Sequence, residues 1–187
     1  MQDKKWAERL AAGDEAAFRE LYQTHADGIY RLCLRLLQNR QEAEDAAQEV
    51  FLKIIASLPT FRAEARLSSW IFRITLNTCL NLRRQRKVKR WLSLEWLEAQ
   101  PEAAAAEEGA QRRVERQEEE ALLTAAIDRL PEKQRVALIL CRFEEKSYQE
   151  IAEILGCSVA AVESRIFQAK KNLGKMLVRR IKDTSFD

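Results

Sequence analysis

The segment SYQEIAEILGCSVAAVESRIFQAKKNL, residues 147–173, carries the strongest structural signal in this chain. Its apolar residues recur at helical spacing on both sides of Gly156, which predicts two helices joined by a tight turn. Gly156 stands where a helix ends in a left-handed residue, a conformation that glycine adopts without steric cost. Ser158 then offers a side-chain oxygen that can cap the next helix. The segment therefore predicts a helix-turn-helix.

The second helix of this motif has an outward face that suits duplex DNA. Small residues near its start allow close approach to a groove, while Ser, Arg and Gln can bond base edges and Lys and Arg can meet phosphate. Helix-turn-helix proteins place this helix in the major groove. The alternative is an ordinary helical hairpin with a solvated charged face. The outward positions are Ala160, Ala161, Glu163, Ser164, Arg165, Gln168 and Lys171.

Composition favours an all-α fold. The chain has 187 residues, 33% charged and 47% hydrophobic, with only 5 Gly and 3 Pro. Good helix formers dominate the remainder. No apolar run approaches the ~18 residues of a membrane helix, and the N-terminus is too charged for a signal peptide. We therefore expect a cytoplasmic protein without direct membrane insertion.

Charge is distributed unevenly along the chain. Residues 1–90 carry 17 basic and 11 acidic side chains, residues 91–120 carry 3 and 9, and residues 121–187 carry 12 and 9. Two basic modules thus flank an acidic connector, and basic modules suggest a polyanionic partner. The prediction is two small helical domains, 1–93 and 118–187, joined by a flexible acidic linker over 94–117.

The first module is predicted to contain about four helices. Asp14 caps the first, the second covers about 27–37, the third about 41–58 and the fourth about 67–88. The second module offers helices over about 118–130 and 133–143 before the helix-turn-helix.

The third helix of the first module has an acidic face. Glu42, Asp45, Gln48 and Glu49 lie opposite its apolar stripe and next to Phe51. Such a face could dock on a basic partner surface. For a bare charge pattern, a solvated face is the other interpretation.

The fourth helix combines aromatic, amide and basic side chains. Arg73, Asn77, Asn81 and Arg84 follow one another at helical spacing, and residues 83–90 include six basic side chains. Rings and guanidinium planes can stack on bases while amides read base edges, which suits single-stranded nucleic acid. The alternative is a basic helix end that complements the helix dipole.

Enzyme chemistry has little support. The chain has a single histidine, and its four cysteines, Cys33, Cys79, Cys141 and Cys157, lack zinc-type spacing. Paired carboxylates, glycine-rich phosphate loops and nucleophile motifs are missing from the sequence. We expect buried thiols, no cofactor and no metal site.

Nearly the whole chain resembles the extracytoplasmic-function (ECF) group of bacterial RNA polymerase sigma factors. The resemblance rests on motifs in the right order at the right separations. They are GDEAAFRELY (13–22), AEDAAQEVFLKIIASLPTFR (43–62), SSWIFRITLNTCLN (68–81), LPEKQRVALIL (130–140) and the helix-turn-helix segment.

The resemblance implies an alternative sigma factor that binds core RNA polymerase and reads promoter −10 and −35 elements. It also implies regulation by an anti-sigma factor. The implied polymerase-binding residues are Asp45, Gln48, Glu49 and Phe51. The resemblance also implies a pocket for a flipped base of the −10 element over residues 61–66. The residues implied for the melted −10 element are Phe61, Arg62, Trp70, Arg73, Asn77, Asn81 and Arg84. Those for the duplex −35 element are Ser158, Ala160, Ala161, Glu163, Ser164, Arg165, Phe167, Gln168 and Lys171.

Two positions depart from the group's pattern. Glu163 and Gln168 stand where its members often carry Arg. Glu accepts from cytosine amino groups and repels phosphate, and Gln suits adenine, so we expect a −35 preference shifted from the group's usual G/A-rich element.

Two rival classes of protein remain open. A conventional repressor or activator would use the same motif, normally as a dimer on a palindromic site. An anti-sigma or other interaction protein would explain the acidic face but not the DNA-reading helix.

Overall fold

The computed structural model of the chain describes residues 9–10, 12–58, 61, 66–92 and 121–184. All regular elements within these ranges are helices, which confirms the all-α prediction. The predicted linker, 94–117, lies outside the described residues. None of the described helices has the length and apolar content needed to cross a bilayer.

Among the described residues of the first compact unit, three long helices pack together: α1 (Glu15–Leu37), α2 (Arg40–Ser57) and α3 (Leu67–Leu92). Each packs against the other two. Side-chain caps fix where the first two begin. Asp14 accepts from the Ala16 and Ala17 amides, and Asn39 accepts from the Glu42 amide at 2.9 Å. The caps satisfy amides that a helix start would otherwise leave unpaired.

α1 is one continuous helix, so the prediction of two helices over this region was wrong. Its buried residues continue through the predicted break, from Ala17 and Leu21 to Ile29, Leu32 and beyond. Gly28 is helical and lies against α3, where a methyl group at its position would be 3.9 Å from Phe72 Cζ. Tertiary packing therefore keeps the helix intact despite the low helix propensity of glycine.

In the described part of the second unit lie α4 (residues 121–128), α5 (Glu132–Arg142), most of α6 (Tyr148–Leu155) and α7 (Val159–Thr184). Arg135 of α5 is buried, and its Nη1 donates to the Asp128 carbonyl at 2.8 Å. Asn172 of α7 donates to Gln134 of α5 at 2.8 Å. These side-chain bonds, together with a shared apolar core, tie α5 to α4 and α7.

The helix-turn-helix has the predicted geometry. Gly156 ends α6 with φ +61°, and the Cys157 amide bonds the Ala152 carbonyl at 3.1 Å. Ser158 then accepts from the Ala161 amide at 3.2 Å, so it caps α7 as expected. Ser147 and Glu150 form a reciprocal capping box at the start of α6. Both helices of the motif thus have chemically defined starts.

Candidate functional site

The outward face of α3 brings together the predicted polar residues of the first unit. Arg73, Asn77, Asn81 and Arg84 are all exposed, and their spacing of four, four and three residues keeps them on one side of the helix. Arg84 Nη1 lies 3.3 Å from Asn81 Oδ1. The face offers guanidinium and amide groups in a row, which are the groups that bond phosphates and base edges.

An aromatic pair stands at the start of this face. The rings of Phe61 and Trp70 have centroids 5.0 Å apart and a tilt of 51°. Both side chains are half-buried, so each retains exposed ring surface. Arg62, also predicted for this site, lies outside the described residues. The pair is a platform of the kind on which unpaired bases stack.

The basic run at the end of α3 divides into two kinds of residue. Arg83 donates to the Leu36 carbonyl near the end of α1, and Arg86 pairs with Glu42 of α2 at 3.2 Å. These two arginines contact α1 and α2 from α3, which their position in a basic run did not indicate. Arg84 and Lys87 are exposed.

The acidic face of α2 is only partly available to a partner. Glu49 is half-buried and pairs with Lys53 at 2.6 Å, while Lys53 also donates to the buried Thr78 hydroxyl at 3.1 Å. Asp45 and Gln48 are exposed. Asp45 forms no ion pair with any described side chain. Asp45 is therefore the carboxylate of this face most open to a basic group.

This face has an apolar extension that was not predicted from the sequence. Leu52 is 68% exposed and Ile55 is 47% exposed, both outward on α2. Tyr22 of α1 is 59% exposed, and its ring centroid lies 5.0 Å from that of Phe51. Helical spacing from Asp45 places Leu52 and Ile55 on the same side of α2, so the sequence pattern could have revealed both residues. Exposed apolar side chains that lie side by side are typical of an interaction surface.

α7 presents its predicted DNA-facing residues along one side. Phe167 is the most exposed aromatic residue among those described, at 64%. Two others, Ala161 and Arg165, are half-buried on the flank. The exposed members are Ser158, Ala160, Glu163, Ser164, Phe167, Gln168 and Lys171.

Cys33 and Cys79 are buried against each other between α1 and α3. Their sulfur atoms are 3.4 Å apart, and neither residue is exposed. The hydrogen bond to Cys33, together with burial, raises the pKa of the Cys79 thiol well above its usual value. Cys79 is therefore a neutral core residue. No cluster of His, Cys, Asp or Glu among the described residues could hold a metal ion.

Two protein families match the chain, one over each unit. Residues 21–88 match Sigma-70 region 2, and residues 120–173 match Sigma-70, region 4. The RNA polymerase sigma-H factor of Pseudomonas aeruginosa is 36% identical over 181 residues, which cover 94% of each chain. The ECF RNA polymerase sigma factor SigW of Bacillus subtilis is 31% identical over 182 residues, covering 95% of this chain and 97% of SigW.

The fold has relatives among solved structures. CnrH, solved in complex with the cytosolic domain of CnrY, superposes with a TM-score of 0.69 at 23% identity, over 96% of this chain and 99% of CnrH. RpoE of Bartonella quintana, solved with the anti-sigma factor NepR, gives 0.67 at 23% identity, over 86% and 96%. At this identity the likeness establishes the fold.

This chain is therefore a sigma factor of RNA polymerase. It belongs to the ECF group of that family. As an alternative sigma factor, it binds core RNA polymerase and directs transcription initiation at promoters.

Proposed function

We propose that three surfaces divide the work of initiation. The outward face of α3 with the Phe61–Trp70 pair binds the melted −10 element, α7 reads the duplex −35 element, and the outward face of α2 docks on core polymerase. The row of exposed Arg and Asn side chains on α3, beside that aromatic pair, is the observation that carries the proposal. A duplex reader has no need of a stacking platform.

The −10 assignment rests on matched chemistry. Extruding a base costs a few kcal/mol, which stacking and hydrogen bonds to the base edge can offset. Phe61 and Trp70 supply ring surface, and Asn77 and Asn81 supply donors and acceptors one helical turn apart. Arg73 and Arg84 add charge for the strand's phosphates.

The −35 assignment makes Glu163 and Gln168 specificity residues. Both are exposed on the side of α7 that would enter the major groove. A carboxylate accepts from cytosine N4, and a Gln amide forms a bidentate pair with adenine. Phe167 offers an apolar contact for a thymine methyl group. The favoured −35 element would therefore contain cytosine or adenine at the two positions opposite these side chains.

Docking on polymerase would combine charge and apolar burial. Asp45 and Gln48 lie at one end of the α2 surface, and Leu52 and Ile55 lie at the other. A basic, amphipathic partner helix fits such a surface, because its charged residues meet the acid while its apolar stripe covers the leucine and isoleucine. Phe51 and Tyr22 extend the apolar area.

An anti-sigma factor is the proposed regulator. RpoE of Bartonella quintana was solved with one, which supports a similar partner for this chain. We assign residues 1–93 to the module that binds polymerase and the −10 element, 94–117 to a linker and 118–187 to the −35 module. The protein would act in the cytoplasm without catalysis of its own. Gel filtration with a candidate anti-sigma factor tests the partner, and separate elution at micromolar concentrations would exclude that candidate.

Run-off transcription tests the proposal directly. Core polymerase is incubated with and without the chain on a pool of promoters randomised in the −10 and −35 elements. Specific transcripts should appear only with the chain, and sequencing should show enrichment of bases that depend on α3 and α7. Transcripts from Asn77→Ala protein should lose −10 preference, and those from Gln168→Ala protein should lose −35 preference.

A conventional regulator would give a different result. The absence of specific transcripts, together with tight binding of the chain alone to a palindromic duplex, would overturn the assignment of the three surfaces. Equal −10 preference in the Asn77→Ala and unaltered proteins would overturn the role of α3 alone.

A further inference from the structure

We propose that Arg165 binds a DNA phosphate rather than a base edge, and that Cys157 is the residue that positions its guanidinium. The inference rests on the proposed −35 role of α7. It assigns different roles to two side chains of that helix, Arg165 and Gln168. Gln168 would read sequence, whereas Arg165 would anchor the helix on the backbone.

Arg165 lies between the buried and the exposed sides of α7. It directly precedes the buried Ile166 and follows the buried Val162 by three positions. At 100° per residue, Arg165 shares a line along α7 with Asn172, seven positions later. Both are half-buried, and Asn172 is bonded to Gln134 of α5. The line therefore runs along the flank of α7, beside its exposed face.

The side chain of Arg165 points back toward the start of α7. Arg165 Nη1 donates to Cys157 Sγ at 3.3 Å, eight residues earlier in the sequence. Side chains in a helix lean toward its N-terminus, so the guanidinium reaches back to the turn that precedes α7. With this bond in place the guanidinium is tied to Cys157 and does not extend over the exposed face that carries Gln168. The observed bond holds it at the start of the helix.

The chemistry at the start of α7 suits a phosphate group. A helix start carries partial positive charge and amide donors, which favour an anion. The guanidinium has five N–H donors, and the bond to Cys157 is its single hydrogen bond to a described residue. The remaining donors can meet two phosphate oxygens in the bidentate geometry that suits arginine. Cys157, half-buried in the turn, keeps the group oriented before DNA arrives.

The two roles predict different dependences on salt and sequence. Losing one phosphate contact reduces the steepness of log affinity against log salt by about 1 and weakens binding by a similar factor on all sequences. Losing a base contact relaxes preference at one base pair and leaves that slope unchanged. The salt slope and the sequence preference of one variant therefore decide between them.

The experiment uses the full chain bound to core polymerase. Promoter binding is measured over a salt series on duplexes that differ at single −35 positions. Arg165→Gln should weaken binding by a similar factor on every duplex, about tenfold, and reduce the salt slope by about 1. Gln168→Ala is the matched comparison on the exposed face. It should change which duplexes are bound most tightly, and it should leave the slope of log affinity against log salt unchanged.

Cys157 variants test the positioning role. Cys157→Ser retains an acceptor and should bind like the unaltered protein, whereas Cys157→Ala should show part of the Arg165→Gln loss. Combining Cys157→Ala with Arg165→Gln should add nothing to Arg165→Gln alone. Thermal unfolding by circular dichroism checks that each variant is folded. If Arg165→Gln is not, Arg165→Met, which also removes the charge, takes its place.

Specific outcomes would overturn the inference. A changed base preference with an unaltered salt slope in Arg165→Gln would make Arg165 a base reader. Additive losses from the Cys157 and Arg165 changes would remove the positioning role. If neither Arg165→Gln nor Gln168→Ala affected binding, the −35 role of α7 itself would fail, which is a separate result.

Discussion

Two glycines of the second unit differ in what their backbone requires. Gly156 adopts φ +61° in the turn between α6 and α7, whereas Gly174 lies inside α7. A methyl group would meet nothing within 4 Å at either position. Any effect of a replacement therefore comes from backbone conformation alone, since no neighbouring atom would have to move.

Alanine at the two glycines should have opposite effects. Gly156→Ala forces a Cβ into the left-handed region and should cost about 1–2 kcal/mol in the free energy of unfolding. Gly174→Ala removes a flexible residue from a helix interior and should stabilise by about 0.5–1 kcal/mol. Hydrogen exchange of peptides from α6 and α7 measures both changes. Equal effects of the two variants would contradict the conformational explanation.

The buried thiol of Cys79 should make stability depend on alkaline pH. Its folded pKa is raised above the usual 9.0 by the hydrogen bond to Cys33 and by burial. Above pH 9 the unfolded chain loses this proton while the folded chain keeps it, so the free energy of unfolding falls as pH rises. Below pH 9 the contribution is fully present.

The measurement compares the protein with Cys79→Ala. All four tryptophans precede residue 100, so tryptophan fluorescence in urea reports on the first unit. Well above pH 9 the unaltered protein should lose stability faster than the variant, by up to about 1.4 kcal/mol per pH unit. The variant will be less stable at neutral pH because it leaves a cavity. Parallel pH profiles would show that Cys79 titrates normally when folded.

At the scale of whole helices, local signals predicted the ends better than the lengths. The turn at Gly156, the caps at Asp14 and Ser158 and the periodicity of α2 all follow from neighbouring residues in the sequence. The continuity of α1 does not, because it depends on Gly28 packing against Phe72 of another helix. Contacts between distant residues are the information that a local pattern lacks.

The same limit applies to the functional faces. Helical spacing correctly placed Arg73, Asn77 and Asn81 on one exposed side of α3. It could not show that Arg83 and Arg86 bond α1 and α2, because that depends on which helices are neighbours. The apolar end of the α2 face was missed for a different reason. The sequence-based prediction for this face considered charged and amide side chains and left out Leu52 and Ile55.

Leu52 allows a test of the α2 face as a docking surface. If Leu52 becomes buried on polymerase, Leu52→Ala should weaken core binding about tenfold or more, given ~1.5–3 kcal/mol for burying a leucine side chain. Leu34→Ala on α1, also an exposed leucine, is the control and should leave binding unchanged. Competition against a labelled sigma factor for core polymerase provides the affinities. Equal binding by both variants would exclude Leu52 from the interface.

For the molecule as a whole, charge sets how it reaches a promoter. The net charge is only +3, because acidic residues between 91 and 120 offset much of the basic charge on either side. Affinity for DNA depends mainly on how many phosphates basic side chains neutralise. The free chain should therefore bind DNA weakly, and core polymerase must supply most of the positive surface that holds the duplex.

Titration of a labelled promoter duplex tests this order of binding. At physiological salt the free chain should bind the duplex with a dissociation constant above about 1 μM and with little preference for sequence. Lowering the salt should strengthen that binding steeply, since counterion release drives it. Adding core polymerase should produce tight and sequence-dependent binding. Nanomolar, sequence-specific binding by the free chain at physiological salt would show that its DNA-reading faces suffice alone, as they do in a conventional regulator.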